Sequence, residues 1–254
     1  MKAGFIGEND QPMICVPLVG RNYEGLHSEL KDVLRKNPDL LEWRADFYEG
    51  ITDQNDVVAL ARRFKKLAGD IPMIFTLRSS REGGHPTSLT DPEAIDLIAA
   101  VCVKTDVEYV DCELSHLAQD IKGLRKIASE HKTRIITSFH DFNGTPPREE
   151  LLAKFTEAKQ LGADVAKLAV MAKELQDVLT LLEVTLEAKK HVGIPIIAVS
   201  MGEYGVLSRV MGGFFGSSVT FAVGHASSAP GQIPIEDLRA AMHMIQRCQE
   251  NQMD

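Results

Sequence analysis

Val165-Ala166-Lys167-Leu168-Ala169-Val170 is an apolar, strand-forming run with one lysine set inside it. One βα unit earlier, Arg134-Ile135-Ile136-Thr137-Ser138-Phe139 leads into His140-Asp141. Near-continuous apolar runs of this length belong to strands buried on both faces. Taking an ammonium out of water costs several kcal/mol unless something compensates. Lys167 therefore either snorkels past a strand end into solvent or serves a purpose inside. Val165 and Ala169 share its face. Desolvation lowers a lysine's pKa, and the neutral amine can attack a carbonyl. Lys167 is the leading candidate nucleophile.

Working outward, similar short runs occur at 13–19, 40–44, 73–77, 108–111, 195–199 and 218–221. Amphipathic segments separate them, clearest at Leu26/Leu30/Val33/Leu34, Leu151/Leu152/Phe155/Ala158 and Leu175/Val178/Leu179/Leu182/Leu186, each at helical spacing. Asp91 before Pro92 and Thr145 before Pro146 read as helix N-caps. A final helix is expected over 235–247, with Leu238, Ala241, Met242 and Ile245 on one face. Eight strands each followed by a helix read as an α/β (β/α)8 TIM barrel, one catalytic domain over 1–254. Met1 to Gln11 is expected to form a short N-terminal hairpin closing the barrel bottom. A doubly wound open sheet is the alternative. The first turn, Val19-Gly20-Arg21-Asn22-Tyr23-Glu24-Gly25, fits neither its G-x-G-x-x-G signature nor a P-loop.

The chain has 254 residues, enough for one barrel with a large core. Its net charge of −8 argues against a nucleic-acid surface, although a few local arginines can still attract an anionic small molecule. No apolar stretch is long enough for a membrane span, and Met1 to Gln11 has no signal-like apolar region. A cytoplasmic location is the expectation. Cys15, Cys102, Cys112 and Cys248 form no C-x-x-C pair and the histidines no H-E-x-x-H, so no metal site is expected.

In such a barrel the active site lies at the C-terminal ends of the strands, and polar residues collect there. Strand two ends Glu42-Trp43-Arg44-Ala45-Asp46, with Glu42, Arg44 and Asp46 on one side. Strand three ends at Arg78, with Glu82 just beyond; strand five ends in His140. Met201 and Arg209 follow strand seven, and the loose stretch Gly224 to Gln232 follows strand eight. Each has a plainer explanation: a structural ion pair for Glu42 and Arg44, solvated charge for Arg78 and Arg209, packing for Met201 and Phe221. Convergence on one rim favours function. A lysine imine acidifies the neighbouring carbon, a histidine is matched to remove that proton near neutral pH, and a carboxylate such as Glu82 can set its tautomer. Arginines suit a substrate carboxylate. The residues alone describe a Schiff-base enzyme acting on an anionic carbonyl compound, with aldolase and dehydratase both open.

At these residues the chain resembles the type I 3-dehydroquinate dehydratases. The matching pieces are Glu42-Trp43-Arg44-Ala45-Asp46, Thr76-Leu77-Arg78, Arg81-Glu82-Gly83-Gly84, Ser138-Phe139-His140-Asp141-Phe142, Ala166-Lys167, Ser200-Met201-Gly202, Gly205-Val206-Leu207-Ser208-Arg209 and Ser228-Ala229-Pro230-Gly231-Gln232. They run through essentially the whole chain in order. The resemblance implies a homodimeric barrel without cofactor that takes 3-dehydroquinate. It implies that Lys167 forms the imine, that His140 removes the C2 proton and returns one to the departing C1 hydroxyl, and that Glu82 partners His140. Arg209 would hold the substrate carboxylate. Glu42, Arg44, Arg78, Ser228 and Gln232 would bind ring hydroxyls or close over the site, with Met201 and Phe221 packing beside the substrate. Val199 stands where the pattern allows a second methionine, and Val16-Pro17-Leu18 lacks a serine found in some members.

Overall fold

The computed structural model describes residues 4–9 and 11–250. Eight strands appear: β1 Met13–Leu18, β2 Leu40–Arg44, β3 Met73–Thr76, β4 Tyr109–Glu113, β5 Arg134–Asp141, β6 Val165–Met171, β7 Ile196–Met201 and β8 Val219–Phe221. All pair in parallel, in the order β7-β6-β5-β4-β3-β2-β1-β8. A parallel bridge between Ile196 and Ser217 joins the two ends, with Ser218 N donating to Ile196 O at 2.7 Å. The result is a nearly closed (β/α)8 barrel.

The helices are α1 Tyr23–Leu34, α2 Gln54–Ala68, α3 Asp91–Lys104, α4 Ala118–Glu130, α5 Arg148–Gln160, α6 Leu175–His191, α7 Val206–Phe215 and α8 Ile235–Glu250. Two expected helix starts move. Thr90, not Asp91, caps α3, in a capping box with Glu93, which places Pro92 inside the first turn. Helix α5 begins at Arg148 after Pro147 rather than at Thr145. The α6 stripe also shifts: Val178 and Leu182 are buried, whereas Leu175, Leu179 and Leu186 are exposed. Leu181 and Val184 take the inward positions instead.

Strand alternation builds the interior in storeys. One cluster joins Met13, Leu40, Ile74, Tyr109, Ile136 and Val165 near the N-terminal ends of their strands. Below it, residues 4–9 form turns and no strand, so the expected hairpin is absent from the described part; residues 1–3 and 10 of that segment lie outside it. Ile6 is buried against the same cluster and its N–H donates to Tyr109 Oη at 2.8 Å, while the Arg134 guanidinium covers the Phe5 ring. Two residues further up each strand, the inward positions of β2 to β6 become Glu42, Thr76, Asp111, Ser138 and Lys167. All five are buried. The corresponding positions of β7 and β8 remain apolar, with Val199 and Phe221. One half of the barrel top is thus charged and the other half is an apolar wall.

Candidate active site

Lys167 sits in the middle of β6, its Cα in register with Ser138 of β5 and Ile197 of β7. Its Nζ donates to Glu42 Oε1 at 3.2 Å and to Asp111 Oδ2 at 3.4 Å, and it lies 4.7 Å from the centre of the Phe221 ring. The lysine is 5% exposed. It therefore does not snorkel. Compensation comes from two carboxylates rather than from a purely apolar pocket, the arrangement a buried charge requires.

His140, at the end of β5, meets Glu82 on the short 3-10 turn Ser80–Glu82. Glu82 Oε2 accepts the His140 backbone N–H at 3.0 Å and lies 2.9 Å from Nδ1. Because that oxygen already accepts one N–H, an ionised Glu82 accepts Nδ1–H as well, leaving Nε2 with its lone pair. Burial holds the His140 imidazole well below the ordinary histidine range, and Arg78, Lys167 and Arg44 push the same way. Burial pushes the Glu82 carboxyl up, against the pull of Arg78. The two proton affinities are thereby drawn together. Gly83, which closes the turn, has φ +80, and a Cβ there would fall 2.2 Å from the Phe142 ring. Only glycine lets this turn press Glu82 against β5.

Arg78 is the hub of the charged half. Its Nη1 donates to Glu113 Oε1 at 3.0 Å and Ser138 Oγ at 2.9 Å, and lies 3.5 Å from Glu82. Its Nη2 makes an ionic contact of 2.9 Å with Asp111 without hydrogen-bond alignment. Burial works against its charge, yet Asp111, Glu113 and Glu82 hold its pKa above the ordinary value. Glu113 also accepts Ser79 N at 2.7 Å and Ser79 Oγ at 2.6 Å, fastening the turn that bears Glu82. Arg44 forms a two-pronged pair with Asp46, both contacts 2.8 Å, and its Nη1 reaches Ser228 O at 3.5 Å.

Arg209 differs. It is 2% exposed on α7 and donates only to backbone carbonyls, Phe221 O at 3.3 Å and Pro230 O at 2.9 Å. Its Nε is buried without a partner, and among the described residues no carboxylate pairs with it. Burial lowers its pKa to about 10. An uncompensated buried guanidinium is a ready site for an anion. The 224–232 loop lies against it. Gln232 Oε1 accepts Ser228 N at 3.0 Å and its Nε2 donates to Ser228 Oγ at 3.2 Å.

All eleven residues singled out from the sequence line one cavity: Glu42, Arg44, Arg78, Glu82, His140, Lys167, Met201, Arg209, Phe221, Ser228 and Gln232. Counting its open mouth, it holds about 490 Å3 of empty space, the size of a small-molecule site. Val199, Ala169 and Phe142, named from the sequence but not among the candidate site residues, add apolar lining. Asp111, Glu113 and Ser138 were also missed. Strand four was expected to end at Asp111, whereas β4 continues to Glu113; alternation from Tyr109 would have pointed both acids inward.

Fold and site define a (β/α)8 barrel enzyme with its polar groups gathered over the C-terminal strand ends. Residues 14–249 match the model of the type I 3-dehydroquinase family, and the chain belongs to that family. It is 48% identical over 238 residues to a 3-dehydroquinate dehydratase of Geobacillus sp. strain WCH70, covering 94% of this chain and 92% of that one. A crystal structure of 3-dehydroquinate dehydratase from Geobacillus kaustophilus superposes with a TM-score of 0.91 at 46% identity, over 93% of this chain and 92% of that one. The type I enzyme from Clostridium difficile, solved with covalent modified comenic acid, also reaches 0.91, at 35% identity, over 97% and 96% of the two chains.

Proposed function

We propose that this chain is a hydro-lyase that eliminates water from 3-dehydroquinate to give 3-dehydroshikimate through an imine on Lys167. The observation that carries the proposal is the opening of the Lys167 amine, the His140–Glu82 pair and the carboxylate-free Arg209 onto one cavity. The names of the relatives supply the substrate, and the covalently modified neighbour agrees with a reactive side chain in such a site.

In this reading the neutral amine of Lys167 adds to the C3 ketone, a C–N bond forms, and the carbonyl oxygen leaves as water. The protonated imine draws electrons from the C2–H bond, and His140 Nε2 accepts that proton. The resulting enamine expels the C1 hydroxyl, which leaves as water with the proton from His140. Water then adds to the imine carbon, restoring the ketone and the amine. Arg209 holds the substrate carboxylate. Glu42, Arg44, Arg78, Ser228 and Gln232 face the ring hydroxyls, and Met201 and Phe221 form the apolar wall.

Purified protein mixed with 3-dehydroquinate should give a rising near-ultraviolet enone absorbance. Borohydride should fix the ligand's mass to the peptide containing Lys167. A Lys167→Ala variant that stays folded should do neither. An absorbance rise with no adduct on that peptide would overturn the imine mechanism, and no rise would overturn the substrate.

A homodimer in the cytoplasm is part of the same reading. The outer face of α7 carries no charge: Leu207 and Phe214 are exposed, Met211 is partly so, and the sole ionisable residue, Arg209, points inward. The neighbouring helix α6 also exposes Leu175, Leu179 and Leu186. A surface helix that is apolar all round needs a cover. Sedimentation showing a monomer at micromolar concentration would remove the dimer. Free Cys15, Cys102, Cys112 and Cys248 suit a reducing compartment.

A further inference from the structure

Asp111 takes no part in the mechanism above and does not line the cavity, yet it touches the nitrogen on which the chemistry turns. We infer that Asp111 is the fixed counter-ion of the Lys167 nitrogen, placed to stabilise the protonated imine during proton removal. The inference rests on the imine reading.

Three strands converge to hold it. Asp111 Oδ2 is 3.4 Å from Lys167 Nζ on β6; its Oδ1 accepts Ser138 Oγ of β5 at 2.6 Å and sits 2.9 Å from Arg78 Nη2 beyond β3. Ser138 and Lys167 are register partners, so hydroxyl and amine reach the same carboxylate side by side. The carboxylate is about as buried as any charge in the molecule, at 2% exposure. Burial pushes its pKa up, but Arg78, Lys167 and the Ser138 hydroxyl more than offset this and keep it below the usual range. It stays an anion.

The other carboxylate on Nζ plays a different part. Glu42 lines the cavity, where an incoming substrate competes for it. Asp111 does not line the cavity and its Oδ1 is held by Ser138 and Arg78, so its charge stays in place when ligand enters. The ammonium and the protonated imine are both cations on this nitrogen, whereas the free amine is neutral. An anion held here favours the cationic states, and the cationic imine is the electron sink that acidifies C2. A charge fixed in advance in a water-excluded site costs no reorganisation at the moment of reaction. The other titratable groups around the nitrogen are Glu42 on β2, Cys15 on β1 and, further along β5, the neutral His140, while Arg78 faces Asp111.

Asp111→Asn keeps the shape and removes the charge. Wild-type and variant are compared for kcat, KM and borohydride capture of 3-dehydroshikimate across pH. The expected result is a kcat lower by at least two orders of magnitude with KM within a fewfold. The pH of half-maximal capture should fall, because Glu42 alone then opposes loss of the amine's proton. Ser138→Ala, which keeps the charge and removes the 2.6 Å clamp, should shift both quantities the same way by less, and it decides the matter if Asp111→Asn does not fold. Unaltered kcat and capture profile, or a raised KM with normal kcat, would overturn the counter-ion role. Absence of capture in the wild-type protein would instead overturn the imine reading.

Discussion

Arg209→Met separates binding from folding in a single variant. The guanidinium is buried, donates to two carbonyls and lacks a carboxylate among the described residues. Its charge therefore costs free energy in the empty site. Methionine, unbranched and adaptable, removes that cost and the two hydrogen bonds together. These changes oppose each other, so the net effect on the unliganded protein should be within about 1 kcal/mol, a shift of no more than roughly 2–4 °C in Tm. The substrate carboxylate, by contrast, loses charge-assisted hydrogen bonds worth about 1.5–3 kcal/mol each. A net loss of about 3 kcal/mol weakens binding by roughly two orders of magnitude. Steady-state kinetics should show KM raised that far. A thermal shift with 3-dehydroshikimate at about 100 times its wild-type Kd, worth about 2.7 kcal/mol in the native protein, should disappear. A KM raised less than tenfold with the ligand-induced shift intact would show that the carboxylate does not sit on Arg209.

Two further outcomes test the acid–base pair. His140→Ala should lower kcat by about 10²–10⁴-fold, while borohydride still captures ligand on Lys167; loss of capture would mean that the histidine is needed to form the imine. An NMR titration of the His140 imidazole in the unliganded protein should show protonation well below the ordinary histidine pKa of about 6.5, since burial, Arg78, Lys167 and Arg44 all disfavour the charged imidazole and only the neutral form accepts a proton. A midpoint at or above 6.5 would refute this. Stability is the poorer probe. A depressed histidine contributes stability above its unfolded pKa that is lost as pH falls through the lower folded value; a raised Glu82 contributes stability that is lost as pH rises from its unfolded value of 4.5 through the folded one. The two slopes oppose each other between about 4.5 and 6.5.

Much of this site was legible in the chain because a strand's alternation is a local property. Once Lys167 and His140 are placed on neighbouring parallel strands, period two and the barrel's polarity carry Glu42, Arg44 and Arg78 to the same rim, and Arg209 joins them as part of the segment that follows strand seven. What was illegible is pairing between strands. Nothing in Val165-Ala166-Lys167-Leu168 says that its amine meets Glu42, 125 residues away, and Asp111, 56 away. An apolar neighbourhood in sequence suggested an uncharged amine in greasy surroundings, but the barrel places carboxylates from β2 and β4 against it. Similarly, the spacing of Leu175, Val178, Leu179, Leu182 and Leu186 suggested a core stripe, whereas the barrel wall keeps only Val178 and Leu182 of it and adds Leu181 and Val184. The period of a helix says which residues share a face, not which of two apolar faces turns inward.

The chain by itself thus determined the number and order of strands, the open end of the barrel and many of the residues that gather there, since these follow from short-range spacing and residue chemistry. Closure alone decided which charges touch, that the buried Arg209 was left without a carboxylate among the described residues, and which carboxylate sits behind the lysine. Those are contacts between residues far apart in sequence, and only the register of adjacent strands sets them.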